Sequence, residues 1–91
     1  MAICLEYELV ERIGTKAIYR FGSCLQPMDG LFEVDVAKLI SGEISPEESM
    51  TDVVKLLNDL QPQQHANRVF SKIYRYYMEK HEYPVQGGYY A

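Results

Sequence analysis

The chain has no tryptophan, two histidines, two cysteines, and no apolar run near the ~20 residues that a membrane-spanning helix needs. Cys4 and Cys24 stand apart, giving neither a disulfide framework nor a metal motif, so free thiols in a cytoplasmic protein are the default expectation. The opening Met-Ala-Ile-Cys-Leu-Glu has an acid and no basic start, so no secretory signal is expected. His65 and His81 fall at opposite ends of one helical pattern, about 24 Å apart at ~1.5 Å per residue, and cannot share a site within one chain. No spacing of His, Cys and carboxylates matches a metal site, and no glycine-rich loop leads into a helix to cradle phosphate. No catalytic, cofactor or metal residue is therefore assigned.

Basic residues are scarce over the first two-thirds. Residues 1–60 carry five bases against eleven acids, a balance of −6, whereas residues 61–91 carry four bases against Glu79 and Glu82, a balance of +2. Most of the chain should repel phosphate, which argues against a nucleic-acid protein. Arg68, Lys72 and Arg75 form a basic ridge beside Tyr74 and Tyr76, but Glu79 continues the same stripe, and an ordinary solvated helix face accounts for it.

Ninety-one residues make one small domain, with roughly 60–65% of the unfolded surface hidden on folding. At 47% hydrophobic and 24% charged, the composition is that of a globular chain rather than a disordered one. Pro62 to His81 organises the remainder. Ala66, Val69, Phe70, Ile73 and Tyr77 share one helical arc, with Pro62 in the first turn and Pro84 forbidding continuation. Ile3, Leu5, Tyr7 and Leu9 alternate with Cys4, Glu6, Glu8 and Val10 as a half-buried strand does. Gly14-Thr15 breaks the run, and Ala17, Tyr19 and Phe21 resume it, so a hairpin is expected with Glu6 and Glu8 beside Lys16 and Arg20. A loop with the turn signal Asp29-Gly30 leads to a third strand around Phe32 and Val34. Asp35 then either caps one helical turn, Val36 to Ser41, closed by Gly42, or the strand runs on to Ala37.

Ser45-Pro46-Glu47-Glu48 reads as a capping box, with Met50, Val53, Val54, Leu57 and Leu60 as the buried stripe of a helix that follows. The Leu60-Gln61-Pro62 corner would make it an αα-hairpin with the last helix. The expected fold is thus a two-layer α+β domain: a three-stranded antiparallel sheet followed by two main helices packed as an αα-hairpin on one face. The tail, residues 82–91, holds three tyrosines and two glycines and is expected to dock.

Eight tyrosines remain as the chief functional signal, since tyrosine buries a large ring while keeping a polar handle. The outer sheet face would carry Ile18 and Leu31, rimmed by Arg20 and Glu33; with Tyr89 and Tyr90 of the tail these are the candidate interface residues. The expected function is that of a non-enzymatic protein-binding domain, acting on a partner protein or on itself as a homodimer, without nucleic acid, membrane or cofactor. One alternative is an acidic inhibitor of the immunity type that neutralises a basic partner. Another is a cysteine-dependent enzyme using Cys24, with His65 as its base.

Overall fold

Leu5, Tyr7 and Leu9 turn to one side of a strand, β1 (Cys4–Ile13), as their alternation requires. The computed structural model describes residues 3–42 and 53–90. β1 returns through Gly14-Thr15 into β2 (Lys16–Ser23), and Gly14 takes φ 61° at the first central position, where a tight hairpin needs glycine. β3 (Gly30–Val34) pairs with β2, and Asp35 then caps α1 (Val36–Ser41). The Asp35 carboxylate accepts from the Lys38 amide at 3.0 Å and from the Thr15 hydroxyl at 2.7 Å, and Gly42 closes the helix in the left-handed region at φ 86°. β4 (Val54–Leu56), α2 (Gln63–Lys80) and β5 (Gln86–Tyr90) complete the described elements. The five strands form one antiparallel sheet in the order β4-β3-β2-β1-β5.

The core lies between one face of the sheet and α2. Leu5, Tyr7, Ala17, Tyr19, Phe21, Phe32, Val34 and Val54 point inward from the strands, and Ala66, Val69, Phe70 and Ile73 meet them from the helix. Val36 and Leu39 of α1 add to the same core. Tyr19, Phe21 and Phe32 stack across β2 and β3 with ring centroids 5.2–5.6 Å apart in tilted and edge-on pairs, the arrangement aromatic quadrupoles favour.

The expected three-stranded sheet with an αα-hairpin is not what forms. Val54-Lys55-Leu56 is the fourth strand of a five-stranded sheet, paired with Val34, Glu33 and Phe32, and not the middle of a helix. Val54 is buried, but Leu57 and Leu60, expected in the same buried stripe, are 47% and 59% exposed. Polar side chains hold the segment to the loop before β3. Asn58 donates to the Asp29 carbonyl and accepts from the Leu31 amide, Gln61 donates to the Asp29 carboxylate, and the Leu57 amide continues the ladder to Leu31. Ser45, Pro46, Glu48 and Met50, expected to open the first long helix, lie outside the described residues. Pro62 is the N-cap of α2 in an extended conformation, one residue before the helix rather than inside its first turn.

The expectation of free thiols also fails, because Cys4 and Cys24 are joined by a disulfide. A β-bulge at Val10 is the cause. Beside the turn Ile13 faces Lys16, and that register carried along the hairpin would set Cys4 opposite Leu25. The bulge absorbs one residue of β1, so Leu9 faces Tyr19, Leu5 faces Ser23, and Cys4 meets Cys24. Their Cα atoms are 5.4 Å apart, within disulfide range, and the Cys24 amide donates to the Cys4 carbonyl.

Residues 83–90 are built into the body of the protein. Tyr83 is buried, and its hydroxyl accepts from the Val36 amide (2.9 Å) while donating to the Thr15 carbonyl (2.7 Å). The Pro84 carbonyl accepts from the Tyr19 hydroxyl, and β5 then runs antiparallel beside β1, with Tyr89 opposite Leu5 and Tyr90 opposite Cys4.

Candidate interaction surface on the open sheet face

The two faces of the sheet differ in what lies against them. The described helices contribute to the inner-face core, and none of them packs on the outer face. Alternation places Cys4, Glu6, Glu8, Ile18, Arg20, Leu31, Glu33, Lys55 and Tyr90 on that outer side. Past the bulge the parity of β1 changes, so Glu11 and Ile13 also face outward and Arg12 turns to the inner side.

Ile18 is registered with Glu33, and Arg20 with Leu31, so the four candidate residues of β2 and β3 form one contiguous patch. Ile18 and Leu31 sit diagonally at its centre and are half-buried by their neighbours. Two ion pairs border them. Lys16 reaches Glu33 at 3.2 Å, and Arg20 pairs with Glu8 directly across the hairpin. Both are exposed or partly exposed, where such pairs are worth at most ~1 kcal/mol. Their effect here is to fix the rim: Lys16 and Arg20, the two bases of β2, find their acids within the chain. Glu6 and Glu11 lie on the same face, and no described ion pair engages either.

The tail tyrosines do not join this patch. Tyr90 is on the outer side but two strands away, 67% exposed, with its ring lying over Gly88. Tyr89 is on the inner side, half-buried, with the Lys72 ammonium 5.6 Å from its ring centroid. That contact also turns Lys72 toward β5, out of the basic ridge with Arg68 and Arg75.

Among the described residues no group of three His, Cys, Asp or Glu side chains is placed to hold a metal ion. Cys24 has no thiol to offer, being disulfide-bonded, and His65 and His81 stand at the two ends of α2. No described helix is long and apolar enough to cross a membrane. The cytoplasmic placement rested on free thiols, and the disulfide removes that support. No protein-family model, curated protein or solved structure matches the chain.

Proposed function

We propose that the chain is a small non-enzymatic protein-binding domain that offers the outer face of its sheet to a partner protein with an apolar centre and a basic rim. The supporting observation is the one-sided packing: the described helices serve the inner face, leaving Ile18 and Leu31 together on the other between charged residues. An apolar centre with a charged rim is the anatomy of a contact surface. The charges favour a different protein over a second copy. Arg20 and Glu33, the residues that would cross a twofold axis, are already paired with Glu8 and Lys16 of their own chain. Glu6 and Glu11 remain for a basic partner, so a small acidic inhibitor is the narrower form of the same reading. A Cys24 nucleophile would first require reduction of the disulfide.

Affinity capture with wild type, Ile18→Asp and Leu31→Asp tests this, each variant first shown by thermal unfolding to be folded. A basic protein held by wild type, released by salt and lost with both aspartates is the expected result. Identical captured proteins for all three exclude the open face.

A further inference from the structure

We propose that β5 is a self-pairing edge: two copies of the chain join β5 to β5 in antiparallel register about Gly88, making one continuous sheet. This surface is separate from the open face and does not depend on it.

The hydrogen-bond ladder shows which backbone groups are free. The Cys24 amide donates to the Cys4 carbonyl, so the even-numbered residues at the start of β1 turn their backbone groups toward β2. The Leu9 amide donates to the Val85 carbonyl at 2.7 Å, so the odd-numbered ones turn toward β5. With Glu6 opposite Gly88 and Glu8 opposite Gln86, residues Val85, Gly87 and Tyr89 spend their backbone groups on β1. Gln86, Gly88 and Tyr90 direct theirs away from the sheet, and no described strand meets them.

An edge of this kind is a template for another strand unless it is blunted, usually by shortness, charge, proline or a bulge. The opposite edge is blunted: β4 has three residues and Lys55 at its centre. β5 has five residues, no charge and no proline within it, and a regular register along its whole length.

The side chains fit a second copy of the same strand. A twofold axis at Gly88 sets Gln86 opposite Tyr90 of the other copy, and Gly88 opposite its equivalent, so every outward donor and acceptor meets its counterpart. On the inner side Tyr89 falls opposite Gly87 of the other copy, a large ring against a residue without a side chain. No like charges oppose one another anywhere along the pair. The glycines are already required within one chain. A Cβ at Gly87 would strike the Tyr7 hydroxyl, and one at Gly88 would strike the Tyr90 ring. The packing that makes β5 glycine-rich also leaves its backbone accessible to a second strand.

Gln86→Pro tests the pairing with little risk to the fold, because the Gln86 amide does not serve β1 and edge positions tolerate proline. Light scattering of wild type should show a dimer by the high micromolar range. Amide exchange at Gly88 and Tyr90 should slow as concentration rises, while Gly87 and Tyr89 are protected throughout. Gln86→Pro should be a monomer that keeps protection at Gly87 and Tyr89. Ile18→Asp should leave the dimer intact, which separates this proposal from the open-face reading. Wild type that stays monomeric to about 1 mM overturns the proposal, as does a dimer that survives Gln86→Pro or lacks the protection at Gly88 and Tyr90.

Discussion

Tyr83 joins α1 and the hairpin turn through a single oxygen and reaches α2 through its ring. Its hydroxyl accepts from the first amide of α1 and donates to the carbonyl of Thr15 in the hairpin turn, while its ring packs on Tyr77 of α2 with centroids 5.0 Å apart. Burial, helped by the nearby Asp35 carboxylate and opposed by the Val36 amide, pushes the phenol up to about 12 from 10.0. The folded state therefore keeps this proton between pH 10 and 12 where the unfolded chain has lost it. The stabilisation is complete below pH 10 and disappears as pH rises through 12, by up to ~1.4 kcal/mol per unit. Burial also raises Tyr19 and Tyr7, in the same sense. Tyr83→Phe should cost about 1–3 kcal/mol at neutral pH, since it leaves the buried Val36 amide without its partner and removes a donor from the part-buried Thr15 carbonyl. Its stability should also fall less steeply than wild type's above pH 10. Denaturant titrations at several pH values measure both effects, and parallel pH profiles for the two proteins would assign the alkaline loss to another group. The sequence shows that the tail is rich in tyrosine. It does not show which tyrosine has the buried hydroxyl, because the groups it bonds lie 47 and 68 residues away.

Among the elements, α2 was legible because local signals and tertiary packing agree, whereas for α1 the sequence offers the caps but leaves a strand running on to Ala37 equally open. Asp35 and Gly42 stand where a short helix needs its caps, and Ala66, Val69, Phe70 and Ile73 hold one helical face that is also the buried one. β4 was not legible. Val53, Val54, Leu57 and Leu60 satisfy a helical period, but Val54-Lys55-Leu56 also alternates, and the unpaired edge of β3 decides the matter by supplying a ladder. The outer patch of Ile18, Arg20, Leu31 and Glu33 could be read from alternation alone, since each strand keeps its period. The disulfide could not, because it depends on one bulged residue, and nothing local marks Val10 as that residue. It closes a separation of 20 residues, for which the constraint on the unfolded chain is worth about 3 kcal/mol. Replacing Cys4 and Cys24 together by serine should lower stability by about that amount. Treating wild type with a dithiol reductant should lower it similarly. A serine pair as stable as oxidised wild type would show that β1 and β2 hold their register without the covalent link.

For the molecule as a whole, the topology separates contacts that close early from one that must close late. β1, β2 and β3 pair through short connections, whereas β5 returns to β1 from the far end of the sequence, so that Cys4 lies beside Tyr90. Closing the longest loop costs the most chain entropy before any contact offsets it. β5 should therefore dock after the three-stranded sheet and α2 have formed. Val34→Ala, in the fully buried part of β3, should slow folding, because its contacts belong to the early sheet. Tyr89→Ala, which removes a half-buried ring from the late strand, should leave the folding rate almost unchanged and speed unfolding. Stopped-flow chevrons, recorded at protein concentrations where the chain is monomeric, distinguish the two orders. If Tyr89→Ala slows folding as much as Val34→Ala does, β5 pairs within the folding nucleus. Its free edge would then be buried or exposed together with the whole sheet. If instead β5 docks last, the edge Gln86–Tyr90 exists only on chains whose core is already closed. Self-pairing is then confined to folded molecules, and an uncharged, glycine-rich edge carries little risk of drawing unfolded chains into aggregates.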